Sequence, residues 1–476
     1  MNSILNMITL PLLGNVDLST PILLIFFLCL LAVICFEFVN GFHDTANAVA
    51  TVIYTKALKP QLAVPWSGFW NFMGVTVGGV AVAMGILKLL PLNELMALPV
   101  QIGACLVLGV LLTSIIWNLS TWYFGIPCSS SHTLIGAMIG GSMAFTHFYS
   151  GSVNWDKAKE IGLSLIMSPL FGFGAAVLLL LFLKRFVKSE KLFHIPQGDN
   201  DKPSPVIRGL LILTCTLVSF FHGSNDGQKG VGLLMLILIA FLPATFAIDH
   251  KIPADKITHS LTMTQQVVQR AMIVQPGNKT LEGLDSTITK AQAEIAAKTA
   301  TEGKGVFVFR KEIQYINKGA KYMLANNMVN VQYADQDTPI LKAATGDLTK
   351  ITDFAPIWVI ITISLSLGFG TMIGWKRIVV TLGEKIGKTH LSYAQGATAE
   401  IVAASTIGLS SWFGLPVSTT HVLSSGIAGA MVATGGTKNL QSGTLKNIAL
   451  AWILTLPVCI GLAYLLFMVF HIFVSV

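Results

Sequence analysis

Long apolar runs alternate with short polar connections along most of the chain. A helix needs about 20 residues to cross a bilayer core about 30 Å thick. Runs of that length lie near 21–56, 62–88, 99–123, 127–147 and 160–184. A second set lies near 206–247, 353–374, 395–412, 416–434 and 447–475. The pattern predicts an all-α polytopic membrane protein with about ten crossings.

The first run of each set is too long for one straight crossing, because about 36 to 42 residues of helix extend beyond about 50 Å. Each of these two runs carries a polar, glycine-containing stretch near its middle, "NGFHDTANAV" at 40–49 and "HGSNDGQKGVG" at 222–232. Polar groups of this kind are costly in hydrocarbon and need a reason to be there. We therefore predict that both helices are broken at these motifs.

The composition agrees with a membrane protein, since 53% of the residues are hydrophobic and only 11% are charged. The first apolar run leads into the polar stretch without a small-residue cleavage site, which predicts a retained helix. The net charge of +8 comes mostly from basic residues in short connections. Such residues set topology and do not indicate nucleic acid. The six cysteines show no metal or redox spacing, so no cofactor is expected.

The basic connections also predict the orientation and the domain boundaries. One cluster lies within 184–208 and another within 376–388, and both should face the cytoplasm. A single crossing by 206–247 places them on the same side, whereas a hairpin there would separate them. The predicted organisation is a first membrane repeat at 21–184, a cytoplasmic linker at 185–205, a second repeat at 206–247 and 353–475, and a soluble, periplasmic insertion at 248–352.

The chain contains two copies of two different motifs. "GIPCSSSHTLIGAMIG" at 125–140 recurs as "GLPVSTTHVLSSGIAG" at 414–429. The stretch 40–50 matches 222–232, which pairs Asp44 with Asp226. The crossing count gives the two halves opposite orientations. Inverted repeats of this kind are typical of secondary transporters, whose substrate site lies near the middle of the membrane.

The hydroxyl-rich motifs are candidates for binding an oxyanion. Each follows a Gly-x-Pro turn at the start of an apolar helix, where one serine or threonine is an ordinary cap. Several hydroxyls in a row exceed what one cap requires, and the positive end of a helix suits an anion. The candidates are Ser129, Ser130, Ser131 and Thr133 in the first copy and Ser418, Thr419 and Thr420 in the second.

The other two motifs supply intramembrane carboxylates. Asp44 and Asp226 either cap a half-helix or handle a cation or proton. Asn47 and Asn225 add amide groups for a ligand or an ion. Lys229, which is opposite Asn47 in the alignment, either neutralises Asp226, contacts the anion or forms a structural ion pair.

Several further side chains are candidates for moving a coupling ion. Imidazole titrates near neutral pH, so a histidine at membrane depth can shuttle protons. Glu400 also lies at membrane depth, where internal pairing is the alternative to a functional role. The histidines are His43, His132, His222 and His421. No HExxH or comparable spacing supports an intramembrane hydrolase, and we do not expect an enzyme.

Four motifs in this order, "GFHDTANAVAT", "GIPCSSSHTLIGA", "GSNDGQKG" and "GLPVSTTHVLSSG", resemble those of the inorganic phosphate transporter (PiT) family and of its bacterial low-affinity branch. The resemblance covers the membrane segments but not 248–352. It implies symport of inorganic phosphate across the bacterial inner membrane by alternating access, often in an oligomer. In this branch it also implies coupling to protons and uptake of phosphate complexed with a divalent metal, whereas other branches use sodium.

Carried over by motif, the resemblance implies that Asp44, Asn47, Asn225 and Asp226 line the site and that the hydroxyl runs contact phosphate. The family's commoner "GxNDxxN" pattern is kept only in part. His43 and Lys229 both stand where that pattern has asparagine. These departures put a sodium site in doubt and favour protons.

Other functions remain open on the sequence alone. The same fold could carry sulfate or use sodium. Sulfate cannot donate a hydrogen bond, whereas hydrogen phosphate can, so acceptor carboxylates favour phosphate. An anion channel would need an open pathway without coupling, and a metallohydrolase would need a metal held by histidine and aspartate.

Overall fold

The computed structural model describes residues 7–10, 12–95, 97–197, 201–297 and 305–474. Within these ranges a few side chains, that of Asp44 among them, lie outside the description. The chain divides into two compact units. The large unit comprises Thr20–Ile237 and Ile357–Val476, and the small unit comprises Met1–Ser19 and Leu238–Pro356.

The helices that precede the small unit are α1 (Thr20–Tyr54), α2 (Pro60–Val77), α3 (Ala81–Leu87), α4 (Leu92–Leu95), α5 (Val100–Tyr123), α6 (Ser130–Phe148), α7 (Trp155–Phe186), α8 (Glu190–Phe193) and α9 (Pro205–Phe241). The small unit contains β1 (Met7–Leu10), β2 (Gly14–Asp17), α10 (Pro243–Phe246), α11 (Ala254–Val274), α12 (Lys279–Ala296), α13 (Gly305–Ala325) and α14 (Ala334–Thr352). The remaining helices are α15 (Ile357–Thr371), α16 (Lys376–Val380), α17 (Tyr393–Trp412), α18 (Thr419–Gly435) and α19 (Ser442–Val474). A π-helical turn at Thr381–Lys385 continues α16.

The predicted all-α membrane fold is confirmed, apart from the short β1–β2 hairpin. By length and composition, α1, α5, α7, α9 and α19 could each cross a membrane. Within the described part of the chain, the number rises to at most seven if two bent helix pairs are each counted as one span. The count of ten crossings and the periplasmic location of 248–352 stay predictions.

The predicted interruptions of α1 and α9 are wrong, because both helices continue through the polar motifs. The glycines in these motifs permit close helix packing instead of a turn. A Cβ at Gly41 would lie 2.4 Å from the carbonyl oxygen of Leu367, and one at Gly223 would lie 2.1 Å from that of Asn71. Backbone approach of this kind excludes every larger residue.

A break occurs elsewhere, between α2 and α3, whose axes bend by 75°. Gln228 of α9 satisfies the backbone groups that the break exposes. Its side-chain nitrogen donates to the carbonyl of Gly78 at 2.7 Å, and its oxygen accepts from the N–H of Val82 at 2.7 Å. A polar residue of the second repeat thus stabilises the bend in the first.

In the large unit, helices of one repeat pack against helices of the other repeat. α1 packs on α15 and α6 packs on α19, whereas α18 packs on α7. Equivalent glycines make the closest approaches: a Cβ at Gly140 would lie 2.1 Å from the carbonyl oxygen of Ile460, and one at Gly429 would lie 2.4 Å from that of Phe173. The two repeats therefore interlock, and the inner helices α6 and α18 are buried along most of their length.

The small unit is fastened where the chain enters and leaves it. Arg310 of α13 is buried, and its Nη1 donates to the carbonyls of Ala247 and Thr352, at 2.6 Å each. The N–H of Asp249 also donates to the carbonyl of Ile351 at 3.0 Å. Burial lowers the pKa of the guanidinium to about 10, which leaves it charged at neutral pH. One cation therefore holds both ends of the inserted segment.

Replacing Arg310 with methionine is expected to lower the free energy of unfolding of the small unit by about 2–4 kcal/mol. The change removes two charge-assisted hydrogen bonds and leaves two carbonyls unpaired. The rate of chymotrypsin cleavage of the full chain in urea measures this loss. Lys318→Met, at an exposed position of the same helix, is the control. Equal cleavage rates for the two variants would contradict the role of Arg310.

Candidate functional site

The hydroxyl runs begin with true helix caps. The side chain of Ser129 accepts from the N–H of His132 at 3.2 Å, and that of Ser418 accepts from the N–H of His421 at 3.1 Å. These two serines therefore have the ordinary capping role. Of the remaining hydroxyls, those of Ser130, Ser131 and Thr420 make contacts outside their own helix ends.

The starts of α6 and α18 face each other. The rings of His132 and His421 lie 4.5 Å apart between their centres, and His421 also stacks on Trp452 at 3.9 Å. Both histidines are buried. Equivalent residues of two repeats touch only near the axis that relates the repeats, so this contact marks the pseudo-twofold axis.

One contact between the repeats is made twice. Lys229 of α9 donates to the hydroxyl of Ser131 in α6 at 2.5 Å. Asn47 of α1 donates to the hydroxyl of Thr420 in α18 at 3.0 Å. The sequence alignment pairs Lys229 with Asn47 and Ser131 with Thr420. The structure therefore brings the first motif of each repeat onto the hydroxyl run of the other repeat.

Asp226 is the centre of a buried polar cluster, which we call the Asp226 cluster. Its carboxylate lies 2.8 Å from Nζ of Lys229 and accepts from the hydroxyl of Ser130 at 3.3 Å. Nε2 of His222 lies 3.6 Å away. Lys229 and Asp226 are at most 1% exposed. A pair of charges so completely removed from water persists only with compensating hydrogen bonds, which Ser130 and Ser131 supply.

The other predicted residues lie around these contacts. His43 bonds to the hydroxyl of Thr121 in α5 at 3.1 Å. Asn225 donates to the hydroxyl of Ser411 at 3.0 Å and to the carbonyl of Leu415 at 3.2 Å, so it positions the turn before α18. Thr133 bonds back to the carbonyl of Ser129, and Thr419 is buried at the start of α18. The backbone of Asp44 lies in α1, but its side chain is outside the described residues.

Glu400 lies apart from the Asp226 cluster. It is fully buried in α17 and accepts hydrogen bonds from the hydroxyls of Thr51 in α1 and Thr214 in α9. The carboxyl group thus bridges three helices. The prediction that Glu400 carries a coupling ion is tested by neither contact and stays a prediction.

Asn71 is a member of the site's polar network that the sequence did not single out. Its side chain bonds to Nδ1 of His222 at 2.7 Å and donates to the hydroxyl of Thr371 at 3.1 Å. It orients the imidazole that faces Asp226. An amide inside the apolar run 62–88 was the available signal. Among the described residues, no group of three or more His, Cys, Asp or Glu side chains could hold a metal ion.

The fold and the site together define a class of protein. A helical membrane protein with two interlocked repeats, whose polar contacts are buried where the repeats meet, has the architecture of a secondary transporter. The chain belongs to the phosphate transporter family, whose model matches residues 40–463. The resemblance that four motifs indicated is therefore confirmed.

Curated relatives match along nearly their whole length. The chain is 38% identical to the low-affinity inorganic phosphate transporter PitB of Escherichia coli K12, covering 94% of this chain and 97% of that protein. It is also 38% identical to PitA of the same organism, covering 95% and 98%. A probable low-affinity inorganic phosphate transporter of Bacillus subtilis is 28% identical, covering 90% and 93%. All three are named as transporters, which agrees with the prediction that the protein is not an enzyme.

A solved structure shares the fold. It is described as the sodium-dependent phosphate transporter, and it matches with a TM-score of 0.59 at 19% identity. The match covers 94% of this chain and 99% of that chain.

Proposed function

We propose that the protein imports inorganic phosphate across the bacterial inner membrane by proton symport, with alternating access to a site between the two repeats. The contact made twice between the repeats carries this proposal. It joins a hydroxyl run of one repeat to a charged or amide group of the other, at the pseudo-twofold axis. The low-affinity inorganic phosphate transporters of Escherichia coli, to which the chain is similar, support the choice of substrate.

Phosphate binds at the starts of α6 and α18 in this proposal. Ser130, Ser131 and Thr420 offer hydroxyl groups, and the ends of two helices offer a positive potential. Lys229 adds a fixed positive charge, and the carboxylate of Asp226 accepts a hydrogen bond from hydrogen phosphate. From the first repeat, Asp44 contributes a second carboxylate and Asn47 contributes a neutral amide. Release follows when alternating access opens the site to the other side of the membrane.

Protons are the proposed coupling ion. The Asp226–His222 pair and the adjacent His132–His421 pair can each take up a proton near the site, and Glu400 can do so apart from it. Two imidazoles whose ring centres lie 4.5 Å apart cannot both be charged without strong repulsion, so the His132–His421 pair holds at most one extra proton. A divalent metal carried with phosphate would bind to the carboxylates of the site. The proposal also includes an oligomer of the protein in the bilayer.

Sodium coupling is the second candidate, because the solved relative of the same fold is described as sodium-dependent. Sulfate is a weaker alternative as substrate, since it cannot donate a hydrogen bond to the carboxylate of Asp226. The fixed ammonium of Lys229 at 2.8 Å from Asp226 favours protons over sodium. It already supplies the positive charge that a sodium ion would bring to this carboxylate.

Uptake of radiolabelled phosphate into proteoliposomes tests the proposal. With an imposed proton gradient and no sodium, the wild type is expected to accumulate phosphate. Asp44→Asn and Asp226→Asn should each reduce the initial rate by about a hundredfold or more, since Asp44 is the proposed proton-carrying carboxylate of the first repeat and Asp226 accepts a hydrogen bond from hydrogen phosphate. Asp156→Asn, the same change at an exposed position of α7, is the control.

The outcomes separate the candidates. A requirement for sodium would replace the proton assignment, and accumulation of sulfate without phosphate would replace the substrate. Uptake that stops at equal concentrations inside and outside would indicate a channel.

A further inference from the structure

A cavity lies at the end of the membrane helices, away from the site between the repeats. It has a volume of about 680 Å³ and is formed by the C-terminal end of α5, the turn after it and residues 374–385. α5 is one of the apolar helices long enough to cross a membrane. If α5 crosses a bilayer, as its length and composition allow, the cavity lies where the bilayer changes from hydrocarbon to headgroups.

The cavity combines positive charge with aromatic and apolar surface. Its lining contains Lys376, Arg377 and Lys385, and none of the described residues that line it is acidic. Trp122, Tyr123 and Trp375 supply the aromatic groups that proteins place at membrane interfaces. Beside the cations, Phe124 is 72% exposed and its ring is in a position to meet acyl chains.

Arg377 is held in place before any ligand binds. Its guanidinium carbon lies 4.8 Å from the ring centres of both Trp122 and Tyr123. Nη1 donates to the carbonyl of Tyr123 at 2.5 Å, and Nε1 of Trp122 donates to the carbonyl of Gly374 at 2.7 Å. A preorganised guanidinium loses little freedom on binding a phosphate group.

We propose that this cavity binds the phosphate headgroup of an anionic phospholipid. Charge complementarity and the exposed apolar surface beside the cations favour a lipid over free phosphate, which would use the cations alone. The cavity is also connected by a hydrogen bond to the segment that leads to the proposed phosphate site. The hydroxyl of Thr381 donates to the carbonyl of Gly125 at 2.7 Å, and Gly125 begins the turn that leads to Ser129. Lipid binding would thus steady the segment that precedes α6.

Native mass spectrometry of the purified full chain tests the lipid site. Protein from vesicles of phosphatidylcholine mixed with phosphatidylglycerol is expected to retain phosphatidylglycerol preferentially. Lys376→Gln combined with Lys385→Gln should reduce that retention about tenfold, because each exposed cation attracts the anionic headgroup. Arg377 is left unchanged because it also fastens the α5 end. Lys188→Gln combined with Lys191→Gln removes two exposed cations from another connection and serves as the control.

Three results would overturn the lipid site. Equal retention of the two lipids by the wild type would show no headgroup preference. Retention by the Lys376/Lys385 variant equal to that of the control would place the lipid elsewhere. Displacement of phosphatidylglycerol by inorganic phosphate would show that the cavity binds the free anion. Gel filtration of each variant establishes that it is folded.

A second inference comes from the difference in charge between Lys229 and Asn47, which make equivalent contacts in the two repeats. Asn47 and Lys229 occupy equivalent positions and bond to equivalent hydroxyls, but only Lys229 is a cation. Its Nζ lies between the carboxylate of Asp226 at 2.8 Å and the hydroxyl of Ser131 at 2.5 Å. Oxygen atoms of these types are also the ligands of hard metal cations.

From this difference we infer that the Lys229 ammonium is a tethered substitute for a movable monovalent cation in the second repeat. The inference rests on the proposed symport function. It predicts that the second repeat has no place for a mobile cation next to its carboxylate, so that the two halves do not contribute equally to coupling.

Thermal unfolding of purified protein in sodium chloride and in choline chloride tests this inference. Lys229→Asn, which gives the second repeat the residue of the first, should gain a rise in Tm of a few degrees that depends on sodium. The wild type should show no such rise. Asp226→Asn combined with Lys229→Asn removes the carboxylate as well and should not respond to sodium.

The outcomes are independent of transport. A Lys229→Asn variant that responds to sodium no more than the wild type would overturn the tethered cation. The inference would also be overturned if Lys229→Asn failed to fold in either salt while the Asp226→Asn, Lys229→Asn double variant folded. Sodium would then be unable to replace the ammonium of Lys229. If phosphate uptake by the wild type ignores the proton gradient while Lys229→Asn gains the sodium response, the proton assignment fails and the tethered cation stands.

Discussion

Asp226→Asn alone is expected to destabilise the protein more than Asp226→Asn combined with Lys229→Met. The single change leaves the ammonium of Lys229 buried without its carboxylate, at a cost of about 3–5 kcal/mol. The double change removes both charges, and the unbranched methionine fills most of the space of the lysine stem. The double variant should therefore recover most of the lost free energy of unfolding.

Unfolding in detergent and phosphate uptake by the same preparations measure the two consequences separately. Neither variant is expected to accumulate phosphate, although the double variant is nearly as stable as the wild type. That combination would assign the ion pair to transport as well as to folding. Equal stability of the single and double variants would show that the charges do not interact, and uptake by the double variant would make the pair structural only.

Much of the site was predictable because it is encoded in local motifs that occur twice. A run of hydroxyls after a Gly-x-Pro turn predicts a capped helix start, and Ser129 and Ser418 have that role. The motif pairs also sufficed for the family and for the helical membrane class. What they could not provide was the partner of each group. That Lys229 reaches Ser131, and Asn47 reaches Thr420, depends on how the repeats interlock.

The glycine-rich motifs show where local reasoning fails. Glycine next to polar residues favours a break, yet α1 and α9 continue because Gly41 and Gly223 each lie against the backbone of a neighbouring helix. The close contact with a neighbouring backbone explains why these positions are glycine, so no turn is needed to explain them. Gln228 is a related case. It stabilises a bend at Gly78, about 150 residues earlier in the chain, which no spacing within its own motif could indicate.

The repeat also provides an internal reference for Glu400. Continuing the ungapped alignment of 414–429 with 125–140 towards the N-terminus pairs Glu400 with Leu111, which is fully buried in α5. The first repeat therefore packs at this place with a leucine. The packing of the equivalent helix needs no carboxyl group, so packing alone does not explain Glu400.

Glu400→Leu is accordingly expected to change the free energy of unfolding by less than about 2 kcal/mol, because an apolar side chain of similar size often replaces a buried ionisable group at little cost. The hydroxyl of Thr214 can keep its bond to the carbonyl of Leu211, at 3.0 Å. The effect on coupling should be much larger. With no group to accept a proton at this place, initial rates of phosphate uptake should no longer rise with the imposed proton gradient.

Initial rates measured over a series of proton gradients, for the wild type, Glu400→Gln and Glu400→Leu, distinguish coupling from structure. Glutamine keeps a hydrogen-bonding group between Thr51 and Thr214 but cannot ionise. If Glu400 carries the proton, both variants lose the dependence on the gradient. If Glu400 only bridges helices, Glu400→Gln keeps the wild-type dependence and Glu400→Leu loses stability. Leu111→Met, a change of similar volume at the equivalent position, should alter neither property.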